Sequence, residues 1–140
     1  MENISPFHLA ILVNKLEVAK EFYQKKLGLI PGRASNHWVD YNFFGHQLVL
    51  HEDVDFKGHK HFNNVDGKSV PVPHFGIVLP WDDFQNFSKH LISQNIDFEI
   101  APYLRFEGKP GEQMTLFFYD PSGNALEFKC FKNTDQLFAT

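Results

Sequence analysis

The sequence predicts an α+β fold of two βαβββ modules, and three observations carry that prediction. A strand–helix–strands pattern occurs twice, a histidine heads the equivalent strand in each copy, and a sharp turn signal precedes the last strand. The modules fall at about 1–52 and 72–132 of one 140-residue domain, with a linker loop at 53–71. That length can bury a core without disulfide staples.

Residues 7–13, Phe-His-Leu-Ala-Ile-Leu-Val, form a short apolar run bounded by Pro6 and Asn14, which reads as a strand. Asn14 with Glu17 three residues on resembles a helix cap with a reciprocal carboxylate. Leu16, Ala19, Phe22, Tyr23 and Leu27 then recur at helical spacing, and Gly28 supplies the stop, so a helix is expected over about 15–27. Strand-like runs follow near 29–34, 37–44 and 46–51, with a turn at Gly45. The segment 52–72 has no clear period and reads as a long loop.

The pattern then begins again. Residues 72–79 form a strand with His74 near its start, and Phe84, Phe87 and Leu91 mark one face of a second helix. Strands are expected near 97–101, 113–119 and 124–131, the last two joined by the turn Asp120-Pro121-Ser122-Gly123.

Composition narrows the function. A formal net charge of −4 leaves no basic stripe to neutralise phosphates, which argues against nucleic acid as a partner. Polybasic membrane attachment is equally unsupported, and no apolar run approaches the ~20 residues that span a bilayer. Residues 1–6 lack the basic and apolar regions of a signal peptide, and the single cysteine, Cys130, cannot close an internal disulfide. A cytoplasmic location is the resulting expectation. Sixteen phenylalanines suggest a core or pocket lined by flat apolar rings.

Side chains alternate across a strand, so residues two apart share a face. His8 falls with Ala10 and Leu12, His74 with Gly76 and Val78, Glu127 with Ala125 and Lys129, and His51 with Gln47 and Val49. In each strand the larger apolar residues take one face, and one histidine or carboxylate takes the other. Such a set can converge on a cleft. Two imidazoles and a carboxylate with open positions make the facial arrangement used by non-haem Fe(II), and a third imidazole still leaves room on an octahedral ion. Hydrogen-bonded structural histidines and a solvent-facing glutamate fit the same periodicity, so spacing alone leaves both readings open.

The chain resembles the vicinal oxygen chelate superfamily of glyoxalase I, bleomycin-resistance proteins and extradiol dioxygenases. The likeness rests on Phe7-His8-Leu9-Ala10-Ile11, on Glu21-Phe22-Tyr23 running into Leu27-Gly28-Leu29, and on Pro73-His74-Phe75-Gly76. Its most specific part is Phe118-Tyr119-Asp120-Pro121-Ser122-Gly123-Asn124-Ala125-Leu126-Glu127-Phe128. The resemblance implies paired modules in a cupped mixed sheet with the helices outside. It also implies one divalent metal ion (Fe, Mn, Ni or Zn) held by His8, His51, His74 and Glu127. Glyoxalase I usually has a glutamate at the place of His51, and extradiol dioxygenases keep a tyrosine where this chain has Phe117.

The function expected from the resemblance is a metal-dependent enzyme, of isomerase, lyase or dioxygenase type, acting on a small oxygen-rich substrate. His51 and Glu127 would be catalytic. A small-molecule or antibiotic-binding resistance protein without catalysis is the alternative, and homodimerisation is a further expectation. Arg105, Glu107, Gln113 and Tyr119 are candidate substrate contacts, with Arg105 able to clamp a carboxylate. His59 and His61 sit in the long loop as candidates for a lid or proton relay, whereas His37, His46 and His90 read as surface or structural. Cys130 falls on the helix-facing side of its strand and reads as buried rather than nucleophilic.

Overall fold

The computed structural model describes residues 4–140. Each half of the chain folds as a four-stranded mixed sheet, and the two sheets share one topology. In the first, β1 (His8–Val13) leads through a helix to β2 (Ile30–Ala34), β3 (Trp38–Phe43) and β4 (His46–Glu52), in the spatial order β1-β4-β3-β2. The segment read as a long loop instead holds an antiparallel hairpin, β5 (His61–Val65) and β6 (Lys68–Val72), turning at Asp66-Gly67. In the second sheet, β7 (His74–Val78), β8 (Phe98–Arg105), β9 (Gln113–Tyr119) and β10 (Ala125–Phe131) take the order β7-β10-β9-β8. This is the α+β, twice-βαβββ architecture expected from the sequence.

The chain clusters into two compact units. One runs to Gly58 and takes in Pro121–Gly123; the other comprises His59–Asp120 and Asn124–Thr140.

The first helix departs from the expected form. α1 (Leu16–Lys20) is regular, but Glu21–Lys26 widens into a π-helix, with the Leu27 N–H reaching back five residues to the Phe22 carbonyl. Asn14 does not cap it. Its side chain accepts from the Ser122 hydroxyl, while the Leu16 N–H is satisfied by the Glu52 carboxylate at 2.8 Å. An orphan donor at a helix start takes whichever acceptor tertiary structure brings, and here that acceptor is distant in sequence. α2 (Trp81–Ser93) follows the expected pattern, burying Phe84 and Leu91.

Alternation along the strands decides what each face buries. Val13, Leu48 and Leu50 pack with Leu16, Ala19 and Tyr23 in the first unit, where Tyr23 stacks on Tyr41. In the second, β10 packs against α2, and Leu116 and Phe118 of β9 pair with Phe128 and Leu126 in the same buried layer. The Phe118 and Phe128 rings lie parallel, 3° apart in tilt, and Phe87 meets Phe128 at 4.7 Å. Cys130 is fully buried in the same layer, and burial pushes its thiol up, away from nucleophilic character.

Phe128 has no exposure and fills the centre of this stack. Phe128→Ala should therefore cost about 3–5 kcal/mol, read as a lower midpoint in chemical denaturation at unchanged slope.

Candidate functional site

The second sheet assembles a site on the face away from the phenylalanine layer. In the ladders, Glu127 lies opposite Gly76 of β7 and Phe117 of β9, and Lys129 lies opposite Val78 and Thr115. β8 sets Tyr103 beside Thr115 and Arg105 beside Gln113. Register thus gathers Glu127, Lys129, Thr115, Tyr103 and Arg105 on one surface. Together with His74, Phe117 and two valines of the hairpin, Val65 and Val70, they line a cleft of about 150 Å³. Gly76 is required here for space: a Cβ at that position would stand 1.5 Å from the Glu127 carbonyl oxygen.

Glu127 is the centre of the polar network. Its Oε2 is 3.0 Å from His74 Nε2, and its Oε1 accepts from the Thr115 hydroxyl at 2.7 Å and lies 3.2 Å from Lys129 Nζ. Burial pushes the carboxyl up, but the hydrogen bonds from His74 and Thr115 and the Lys129 charge outweigh it, leaving the group below its ordinary value. His74 is held above its ordinary value of 6.5, first by the bond to Glu127, against the opposing effect of burial. His74 Nδ1 lies 2.7 Å from the Pro71 carbonyl, which can only accept, so Nδ1 carries a proton; in the imidazolium Nε2 donates to Glu127, and in the neutral ring Nε2 is the atom left with a free lone pair.

His8 is prepared in the same way by different residues. In the first sheet it pairs with Gln47, and its Nδ1 is 2.7 Å from Gln47 Oε1. The Gln47 amide nitrogen donates to Asp40 at 3.2 Å, which orients its oxygen toward His8 and places the imidazole proton on Nδ1. Asp40 is buried and also accepts from the Arg33 backbone N–H at 2.6 Å. Gly32 permits that approach, since a Cβ there would fall 2.2 Å from the Asp40 carboxylate.

The remaining expected site residues are scattered. His51 is exposed and lies opposite Leu12 and Trp38, four residues along the strand from the partner of His8, or about 13 Å at about 3.3 Å per residue. The position in β4 that matches Glu127 by register is Val49, which pairs with Ala10 as Glu127 pairs with Gly76. Glu107 is exposed in the turn after β8, and the Gln113 amide bonds the Gly111 carbonyl. Tyr119 stands at the far end of β9 beside Ala125 and is outside the residues lining the cleft. His61 bonds Asn63 on the exposed hairpin, and His46 accepts from the Phe7 N–H, a structural role.

Gln47, Asp40, Thr115, Lys129 and Asp66 went unmarked in the sequence. Lys129 and Gln47 were legible as same-face neighbours of Glu127 and His51. Thr115 and Asp40 needed the antiparallel register, and Asp66 needed the hairpin.

A divalent cation suits the donors that the second module brings together. Two ligands about 2.0–2.2 Å from a metal and at right angles are about 3 Å apart, and His74 Nε2 and Glu127 Oε2 are separated by 3.0 Å. Among the described residues no three His, Cys, Asp or Glu side chains gather at one point, so the pair alone makes no full ligand set.

The fold and the motifs agree with the comparisons. A protein-family model, Glyoxalase/Bleomycin resistance protein/Dioxygenase superfamily, matches residues 5–128. A glyoxalase/bleomycin resistance protein/dioxygenase from Alicyclobacillus acidocaldarius is 33% identical, with a TM-score of 0.82 and 99% and 100% of the two chains covered. The chain belongs to the glyoxalase/bleomycin resistance/dioxygenase superfamily. Two further structures share the fold at low identity. A fosfomycin resistance protein from Listeria monocytogenes is 11% identical, with a TM-score of 0.65 and 97% and 98% of the chains covered. A lactoylglutathione lyase from Agrobacterium tumefaciens is 15% identical, with a TM-score of 0.64 and both chains fully covered. No curated protein sequence is a detectable relative. No described helix is long and apolar enough to cross a membrane.

The His74–Glu127 pair makes a direct prediction for the metal-free protein. His74 should titrate above 6.5, and Glu127→Gln should lower its pKa by removing the bond that favours the imidazolium. Imidazole chemical shifts followed by NMR across pH report both.

Proposed function

We propose that the chain is a metal-dependent enzyme acting on a small substrate that presents two oxygens to a divalent ion, with His8, His74 and Glu127 as ligands. The observation that carries the proposal is the pairing of His74 Nε2 with a carboxylate at 3.0 Å, beside a cleft, with Nδ1 tied to a backbone carbonyl. A histidine oriented through its other nitrogen is the usual preparation for metal ligation, and His8 has the same preparation through Gln47. The third ligand, His8, would come from the first module of the same chain or of a second copy in a homodimer.

Polarisation of two chelated oxygens by a Lewis acid is what Fe, Mn, Ni or Zn would supply there. Thr115 holds Glu127 through Oε1 and so leaves Oε2 directed at His74. Phe117, whose ring meets His74 edge-on at 5.0 Å, shields the imidazole and offers no hydroxyl for proton transfer. A cleft of about 150 Å³ suits a substrate smaller than the drug-sized ligands of pockets of about 300–1,000 Å³. Of the outer candidates, Arg105 lines the cleft; Glu107, Gln113 and Tyr119 would act only from its margins. His51 would serve as a fourth ligand or as the acid–base group only if its side chain spans the separation of about 13 Å along β4 from the partner of His8.

Elemental analysis of the purified protein tests the reading. Near-stoichiometric Fe, Mn, Ni or Zn is expected, with loss of at least tenfold in affinity in both His74→Ala and Glu127→Ala (about 1.4 kcal/mol per tenfold). His51→Ala that loses metal assigns it as a ligand, and retained metal with lost turnover assigns proton transfer. A protein that stays metal-free and refuses added divalent ions would instead sequester its ligand. If the ligands are shared between chains, mixing His8→Ala with His74→Ala protein should restore metal binding that neither variant has alone.

A further inference from the structure

The cleft holds a second chemical feature, on its β8 side. Arg105 ends β8 with its side chain largely covered, and its Nη2 pairs with the carboxylate of Asp66 at the tip of the β5–β6 hairpin. Nε lies on the same edge of the guanidinium as Nη2, yet it is buried and has no hydrogen-bond partner. A buried donor left unmade is costly, and the side-on edge of arginine is shaped to give two parallel bonds to one oxyanion. Asp66 therefore uses half of a bidentate fork.

Lys129 adds a second cation to the same cleft, 3.2 Å from Glu127. The surrounding wall is apolar: Val65 and Val70 of the hairpin, Phe117, and the ring of Tyr103, with Val70 and Phe117 buried. Lys129 is already engaged by Glu127, so the unpartnered Nε of Arg105 beside a carbon wall, in a small volume, describes a ligand with one anionic end and a compact apolar body.

The geometry points to an oxyanion subsite at Arg105, occupied in the free protein by Asp66 and taken over by the carboxylate or phosphonate of a small apolar substrate. This deepens the proposed function and rests on it for the claim that the bound acid is the substrate. The subsite itself needs no metal. Asp66 acts as an internal competitor: the substrate oxyanion replaces its single bond with two, through Nε and Nη2, and releases the hairpin tip.

Competition has a sign that a purely structural latch does not share. If the Arg105–Asp66 pair only pins the hairpin, removing Asp66 loosens one wall of the cleft and weakens binding. If Asp66 competes, removing it strengthens binding.

The test is titration of the full-length protein, metal-free and metal-loaded, with benzoate, phenylphosphonate and the neutral benzamide, followed by NMR shift changes. Asp66→Asn should tighten binding of at least one acid by about tenfold and leave benzamide unchanged. Arg105→Gln should weaken the acid by about tenfold or more, with Arg105→Lys recovering only part because it lacks the fork. Glu99→Gln, which removes the same charge from β8 outside the cleft, should change neither. Tighter benzoate assigns a carboxylate and tighter phenylphosphonate assigns a phosphonate; either supports the subsite. Weaker or unchanged acid binding in Asp66→Asn, equal binding of benzamide, or no acid binding at millimolar concentration overturns it. The metal-free arm keeps this result separate from the metal: a protein that refuses divalent ions but shows these shifts loses the enzyme reading and keeps the subsite.

Discussion

A carboxylate taken out of water must be compensated, and that constraint shapes the second module. The Glu127 side chain is only 10% exposed, in the middle of a strand whose other face is packed with phenylalanine. Left alone there, a carboxylate would cost several kcal/mol and would be expected to protonate instead. It stays ionised because three different strands deliver a partner: His74 from β7, Thr115 from β9 and Lys129 from β10 itself. Each partner arrives by register, and the parallel β7–β10 ladder closes tightly only because residue 76 has no side chain.

The first module has the same skeleton and a different solution. Its buried carboxylate is Asp40, satisfied by the Arg33 N–H and the Gln47 amide, and it touches His8 only through that amide. Valine replaces glutamate at the matching position of β4. The two histidines are alike in holding a proton on Nδ1 and unlike in partner: one faces a charge, the other is oriented by a neutral relay. A duplicated fold can thus keep its strand order and register while its polar residues diverge, because register fixes which positions meet and not which side chains occupy them.

The site's polar and apolar parts also come from different kinds of structure. The His74–Glu127 pair stands on β7 and β10, whose parallel hydrogen-bonded ladder holds it in place. Asp66, Val65 and Val70 come from a two-stranded hairpin, a form that is marginal by itself and depends on what it packs against. Chemistry on the rigid sheet and coverage from the hairpin is an arrangement in which a bound ligand can move the wall without disturbing the His74–Glu127 pair.

Much of this was legible in the sequence, since alternation and turn chemistry are local. The two modules, the strands bearing His8, His74 and Glu127, the burial of Cys130 and the turn at Asp120–Gly123 all followed from periods of two or 3.6 residues and from glycine and proline. Register was not legible, because it depends on which residues of distant strands meet. Register put Val49 rather than His51 in the place of Glu127, set Thr115 and Lys129 side by side across β9 and β10, and brought Asp40 to Gln47. The cap of α1 and the hairpin of 61–72 were hidden for related reasons. One acceptor lay thirty-six residues from its donor, and the hairpin strands lack a clean alternation of apolar and polar residues. Local composition decided what each element is; only tertiary structure decided which side chains share its neighbourhood, and chemistry is a property of the neighbourhood.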